Sequence, residues 1–292
     1  MPVTFSRQLL YRIATSGVPE RMLAAVPALE QDAYRRALRY VAGVSRDDAF
    51  AVVRRLTADR VAASLDFFGE QVADASEATR VGDAYVDLAR AAHDLPEGTS
   101  LAVDLSHIGL DVSTDLCAEQ LQRILSAMPQ WCRIDVGAED ATRTDRILDV
   151  VLRSAAAGAR IMATLQANMR RSAEDAGRLA AAHVPVRLVK GAYVEPQHIA
   201  LPWGAPTDAA YVRLADQLHR AGVEVALATH DAGLRDALLL AMPGSEIQML
   251  MGVRSDDARA LAARGDRLRL YVPFGPNWTR YWLRRIAESR GA

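Results

Sequence analysis

The chain has 292 residues, half of them hydrophobic and 24% charged, with a formal net charge of −1 at pH 7. That length supports one barrel-sized domain or two smaller ones. It carries no basic stripe for nucleic acid, no apolar run long enough to span a bilayer, and no metal-spaced cysteines, since Cys117 and Cys132 stand alone.

The opening MPVTFSRQLL lacks a signal-peptide core, so a reduced cytoplasmic setting is expected. Residues 1–60 read as a helical segment, with apolar positions at helical spacing over 5–15, 32–43 and 45–58. Ser45 and Asp48 form a capping-box-like start for the third of these, with Asp in place of the usual Glu.

Residues 61–292 change character. Short apolar runs fall at 63–68, 100–105, 132–136, 159–165, 184–189, 223–229, 246–250 and 268–272. Helical patterns such as 173–183, 209–222 and 255–265 lie between them. Alternating strands and helices imply a parallel sheet, and eight such units predict a closed (β/α)8 barrel. The alternative is an open doubly wound sheet, but DFFGEQVA after the first strand is not a glycine-rich phosphate turn. After the eighth run, Pro273, Gly275 and Pro276 break the strand. Asn277 offers a cap, and 278–287 reads as a helix.

Barrel active sites sit at the C-terminal ends of the strands. There the sequence offers Asp66 and Glu70, Asp104, Ser106 and His107, Asp135, and Gln166. It continues with Arg187, Lys190 and Tyr193, then Thr229, His230 and Asp231, then Gln248 and Tyr271. On the last helix Trp278, Tyr281 and Arg285 share a face, and Arg284 sits beside Arg285. Paired guanidiniums form an anion clamp, or else belong to a surface helix in which Arg284 pairs with Glu288. Lys190 reads as a Schiff-base amine, a phosphate-binding cation or a salt-bridge partner. His230 with Asp231 reads as a metal pair or, for Asp231, a helix cap. Asp135 reads as a base or a rim acceptor, and Gln166 as an amide for a heteroaromatic edge or a satisfied interior residue.

A series of segments in order resembles the proline dehydrogenase family of flavoenzymes. They are SLDFFGE, VDLSHIGL, RID, TLQANMRRS, RLVKGAYVEP, ATHD, EIQMLMGV and YVPFGPNW with the terminal RYWLRRIAE. The resemblance implies a distorted (β/α)8 barrel behind N-terminal helices, with its last helix over the barrel top. It implies noncovalent FAD and hydride transfer from proline to the flavin, giving 1-pyrroline-5-carboxylate. By the same resemblance Arg284 and Arg285 match the carboxylate anchor, and Tyr193, Leu250, Tyr271 and Tyr281 match the pocket wall. Glu70 matches a gate carboxylate paired with the first arginine, Arg187 a cation near the hydride-accepting nitrogen, and Asp135 a carboxylate beside the flavin. Val136, Gln166, Lys190, Gly191, Ala192, Thr229 and His230 match cofactor-contacting positions, so that Lys190 binds cofactor. The family passes electrons to a quinone, which leaves peripheral membrane contact open, although no amphipathic membrane helix is evident.

Three positions depart from the family pattern. Asp104 stands where a substrate-binding lysine is expected. It either pairs with Arg284 or Arg285, or faces an amine or hydroxyl on a different substrate, or is displaced by a local shift of alignment. Asp135-Val136-Gly137 replaces an Asp-Met-Glu run, and Phe274 replaces a tyrosine. The expected activity is therefore oxidation of L-proline. The alternatives are a modified proline or other cyclic amine, a flavin-free lyase using Lys190, and a noncatalytic binding relative.

Overall fold

The computed structural model describes residues 27–289, so the helix read over 5–15 lies outside the described residues. Helix α1 (Pro27–Ala37) ends before the expected residue 43. Residues 39–43 instead form a strap. Arg39 Nε donates to Gly252 O at 2.9 Å, Ala42 N to Pro273 O at 2.9 Å, and Gly43 O accepts from Gly275 N at 3.0 Å. Gly43 makes the corner at φ +138°, where Asp48 leaves no room for a Cβ. Helix α2 (Arg46–Ala58) starts at the expected capping box, in which Ser45 and Asp48 each accept the other's backbone N–H at 3.1 Å.

The barrel follows. Its strands are β1 (Ala62–Phe67), β2 (Ser100–Val103), β3 (Ile134–Val136), β4 (Ile161–Gln166), β5 (Val186–Val189), β6 (Val225–Ala228), β7 (Ile247–Leu250) and β8 (Leu268–Phe274). They pair in chain order, all parallel, and β8 closes on β1. The connecting helices are α3 (Ala75–Ala91), α4 (Thr114–Ala127), α5 (Thr144–Ala156), α6 (Ser172–Ala181), α7 (Ala205–Arg220), α8 (Ala232–Ala241) and α9 (Ser255–Arg264). Helix α10 (Trp278–Ser289) follows β8. The break expected at Pro273 falls later. β8 runs on to Phe274, with Pro273 opposite Asp66, because a proline near a strand end sacrifices little of the ladder.

Strand alternation sorts the core into two layers. Leu65, Leu101, Ile134, Leu165, Leu188, Leu227 and Val272 point outward and are buried beneath the helices. Ser64, Asp66, Ser100, Asp135, Thr164, Arg187, Gln248, Arg269 and Tyr271 point inward, as their contacts across the barrel show. The lower interior is an ion-pair network. Arg269 grips Glu246 bidentately at 2.9 and 3.0 Å and donates to Ala63 O, Gly98 O and Ser100 Oγ. Arg133 bridges Glu246 to Asp135 at 3.1 and 2.9 Å. Buried charges are tolerated only when their donors and acceptors are matched in this way.

A second, smaller core joins the two ends of the described chain. Ala33, Ala37 and Val41 pack with Phe68, Trp278 and Tyr281, and the Tyr34 and Trp278 rings meet edge-on at 5.1 Å. The first helix therefore holds the last one over the barrel mouth.

Candidate active site

Helix α10 carries the clamp. Its face of Trp278 and Tyr281 is buried against Phe68, α1 and the end of β8, which turns Arg284 and Arg285 toward the mouth. Arg284 is 11% exposed in its side chain and contacts Glu70, itself 4% exposed. Arg280 stands 3.8 Å from the same Glu70 oxygen, and Arg284 lies 5.8 Å over the Phe68 ring. Arg285 lies 4.8 Å over the Tyr281 ring. The Glu70–Arg284 pairing expected from the resemblance is present, and Arg284 is no surface residue.

Beneath the clamp, Tyr271 sits 6.1 Å from Tyr281 and 5.9 Å from the Arg187 guanidinium. Arg187 Nε donates to Thr164 Oγ1 at 2.9 Å, and Thr164 in turn donates to Val136 O at 2.7 Å. That relay fixes Arg187 pointing into the barrel from β5. Leu250, at the end of β7, and Tyr193, on the loop after β5, are half-buried.

Asp135 lies deeper than expected of a carboxylate facing a ligand. It has no exposed surface, and its oxygens accept from Ser64 Oγ at 2.8 Å, Ser100 Oγ at 2.6 Å and Arg133 Nε at 2.9 Å. Burial pushes its pKa up, but Arg133, Arg269 and Arg187 together hold it below the usual range. Asp135 is thus a fixed anion of the ion-pair network, and the charge it steadies is that of the barrel interior.

Asp104 stands at the end of β2, and among the described residues its carboxylate forms no ion pair, so the suggested partnership with Arg284 or Arg285 is not made. Burial raises its pKa well above the usual carboxylate range, and the charges of Glu139, Asp66 and Glu70 raise it further. Its oxygen occupies the space beside Gly137, where a Cβ would lie 1.8 Å from Oδ1. The loss of a side chain at 137 and the acid at 104 are one local arrangement.

Lys190 is bracketed by Asp208 at 2.6 Å and Asp231 at 2.8 Å. Burial pulls its pKa down, but the two carboxylates outweigh it and raise the value. A Schiff-base nucleophile needs a neutral amine, so this geometry opposes the lyase reading. Asp231 also caps α8 by accepting Leu234 N, as its capping alternative expected, and its N–H donates to Thr229 Oγ1 at 3.1 Å. Among the described residues no group of three metal-ligating side chains assembles.

The mouth above β4 to β6 has unfilled polar capacity. Asn168 Oδ1 and His230 Nδ1 are buried without a hydrogen-bond partner. His230 Nε2 accepts from Leu250 N at 3.3 Å, and burial, with Arg285 and Arg254 nearby, lowers its pKa to about 4, so the ring is neutral at pH 7. Gly191 has φ +109°, and a Cβ there would lie 2.0 Å from Asn168 Oδ1. Ala192 beside it is exposed, and Thr229 is buried at the end of β6. Gln166 Nε2 is already committed to Glu139 O at 2.9 Å.

Two residues at the mouth were not singled out from the sequence. Asp66 was noted only as a strand-end residue, although its alternation with Ser64 marks it as inward-facing. Glu139 is buried on the loop after β3 and accepts Ser106 N at 2.9 Å. Its signal was the altered Asp135-Val136-Gly137 run just before it.

A parallel barrel whose mouth gathers two clamp arginines, a central arginine and a tyrosine wall is an enzyme frame suited to a small anionic substrate. The chain belongs to the proline dehydrogenase family, whose model, described as Proline dehydrogenase, matches residues 49–292, and it is an oxidoreductase. It is 33% identical over 297 aligned residues to a proline dehydrogenase of Deinococcus radiodurans, covering 96% of this chain and 94% of that one. It is 33% identical over 260 residues to proline dehydrogenase 1 of Bacillus subtilis (strain 168), covering 86% of each. Among solved structures, proline utilization A from Bdellovibrio bacteriovorus, inactivated by N-propargylglycine, superposes with a TM-score of 0.81 at 21% identity over 90% of this chain. A Bradyrhizobium japonicum proline utilization A variant superposes with a TM-score of 0.73 at 22% identity over 93%. These two share the fold, and this chain spans 34% and 33% of their lengths. No helix among the described residues is long and apolar enough to cross a membrane.

Proposed function

We propose that this chain oxidises L-proline to 1-pyrroline-5-carboxylate with FAD as the hydride acceptor, passing the electrons on to a quinone or comparable acceptor. The observation that carries the reading is the Arg284–Arg285 pair, set by α10 above Tyr271 and Arg187. The names of the relatives support the substrate.

FAD fits the residues present. The unpartnered Asn168 Oδ1 and His230 Nδ1 and the side-chain-free surface at Gly191 suit a flat polar ring system. Lys190, Gly191, Ala192, Thr229, His230 and Gln166 would hold it; Val136, expected beside it, alternates outward with Ile134 and is fully buried in the core beneath the helices. Lys190 donates to Asp231 and lies in an ion pair with Asp208, which leaves it donor capacity for an anionic tail. When bound, the flavin supplies the two-electron sink.

The chain's own residues do the rest. Arg284 and Arg285 bind the substrate carboxylate through charge-assisted hydrogen bonds. Tyr271, Tyr281, Tyr193 and Leu250 wall the ring and restrict its orientation. Arg187 places a fixed positive charge in a partly dry interior, where it stabilises negative charge that develops during transfer. Asp135 keeps the interior arginines in register.

A second reading, a related cyclic amine bearing an additional hydrogen-bond donor, is favoured by one observation: Asp104, at the end of β2, forms no ion pair among the described residues. A visible spectrum of the purified protein separates the two. Flavin bands that bleach anaerobically with proline support the first. Bands that stay oxidised with proline and bleach with a hydroxylated or amino-substituted analogue support the second, and absence of flavin after adding FAD refutes both.

A further inference from the structure

The barrel interior contains a hydrogen-bonded chain that the proposed chemistry leaves unused. Asp66, 4% exposed on the inner face of β1, accepts the Tyr271 hydroxyl on Oδ2 and the Tyr85 hydroxyl on Oδ1, the latter at 3.3 Å. The single Tyr85 hydroxyl proton is shared with Phe67 O, the nearer acceptor at 3.0 Å, so its position on α3 is fixed. Tyr271 is only partly buried and stands between Asp66 and the space framed by Arg187 and Tyr281. The chain thus runs from the substrate space to a sequestered carboxylate whose hydrogen-bond partners are both neutral hydroxyls.

Oxidation of a secondary amine releases a proton as well as a hydride. We propose that Asp66 accepts that proton through Tyr271, whose hydroxyl would take it from the substrate nitrogen. The inference rests on the proposed oxidation of proline. The ring nitrogen enters as an ammonium with two N–H bonds. One proton passes to Tyr271 Oη while the Tyr271 hydroxyl proton moves to Asp66 Oδ2, and the N–H electron pair stays on nitrogen. The adjacent ring carbon then loses its hydride to oxidised flavin, and the nitrogen lone pair closes the C=N bond. The substrate loses two electrons and the flavin gains two.

The electrostatics suit this task. Burial raises the Asp66 pKa to about 7, against the hydrogen bonds of Tyr271 and Tyr85 and the charge of Arg187, and Glu70 raises it further. Asp104 faces the same cluster from β2 and is itself held above the usual carboxylate range, first by burial. Burial, with Asp66 beside it, also keeps the Tyr271 hydroxyl protonated, as a relay requires. Below about pH 7 Asp66 already holds its proton and cannot accept another; above it the carboxylate is free to do so.

Two measurements test this. In stopped-flow bleaching of the FAD-loaded protein at saturating proline, the wild-type rate should rise about tenfold per pH unit up to about 7 and then level. Asp66→Asn and Tyr271→Phe should each be slower by about 100-fold or more, with that rising limb gone. Tyr271→Phe keeps the carboxylate and tests the relay even if Asp66→Asn does not fold. Independently of turnover, the wild-type minus Asp66→Asn infrared difference spectrum should contain one protonated-carboxyl carbonyl band that titrates near pH 7, the bands of Asp104 and Glu139 being common to both proteins. A rising limb that persists in either variant, or an Asp66 carboxyl ionised throughout about pH 5 to 9, overturns the proton path and leaves the proline reaction standing. A wild type that bleaches at no pH overturns the reaction and the path together.

Discussion

Arg284→Ala removes one partner of a buried ion pair and leaves the other in place. Among the described residues Glu70, whose side chain is 4% exposed, then keeps Arg280 at 3.8 Å as its cation. Stranding a buried charge costs about 3–5 kcal/mol, and the residual cation puts this site near the lower end, at about 3 kcal/mol. That is a large part of the ~5–15 kcal/mol by which a domain is usually stable. The double variant Arg284→Ala with Glu70→Gln removes the stranded charge and should recover most of that loss. Proline binding behaves differently. Losing one charge-assisted contact to the carboxylate costs ~1.5–3 kcal/mol, a weakening of roughly 10- to 100-fold, and it should persist in the double variant. Urea unfolding of wild type, single and double variants reads the first quantity, and proline titration of the bound flavin spectrum reads the second. Equal stability loss in the single and double variants would refute the stranded-charge argument. Unchanged proline affinity would refute the placement of Arg284 on the substrate.

Three further predictions concern the rest of the mouth. Asp104→Lys puts a cation among Asp66, Glu70 and Glu139 and should lower the KM for proline; a KM that stays or rises would show that residue 104 does not face the carboxylate. Gly191→Ala combines a strained φ of +109° with a Cβ 2.0 Å from Asn168 Oδ1 and should cost ~1–3 kcal/mol, with a lower flavin-to-protein absorbance ratio after purification. His107 is buried, and burial lowers its pKa from 6.5 to about 4. The unfolded chain takes up that proton first, so stability should fall by about 3 kcal/mol as pH drops from the unfolded value toward the folded one. Urea melts of wild type and His107→Phe at neutral and acidic pH should show the difference shrinking in the variant.

The barrel was legible because every strand keeps its helix-facing positions apolar, so that eight short apolar-rich runs stand out between helical patterns, and each of the eight became a strand. Their ends were less legible. Residue 132 reads as strand by its apolar character, yet the ladder of β3 begins at Ile134. Pro273 reads as a stop, yet the edge it occupies needs no donor. Residues 38–43 look helical by spacing, but the Arg39 side chain is drawn to Gly252 and the backbone of Ala42 and Gly43 to Pro273 and Gly275, contacts more than 200 positions away. In the site, Arg284, Arg285, Glu70 and Arg187 were found because strand ends and the terminal helix carry charge where a core element should not. Asp135 was found too, but its depth was not, since depth is set by the stagger of neighbouring strands. Asp66 stands among the strand-end acids but with no role, because a lone acid there has no distinguishing spacing, and Glu139 lies on the loop after β3, outside the strand ends the pattern marks.

The match to the family model begins at residue 49, whereas the strap and α1 precede it. These leading residues hold Trp278 and Tyr281, and so the bearing on which the arginine clamp turns. Substitutions there would act on the packing of α10 and leave the barrel strands unaltered. In the proposed reading, substrate affinity becomes adjustable from residues that lie ahead of the family match.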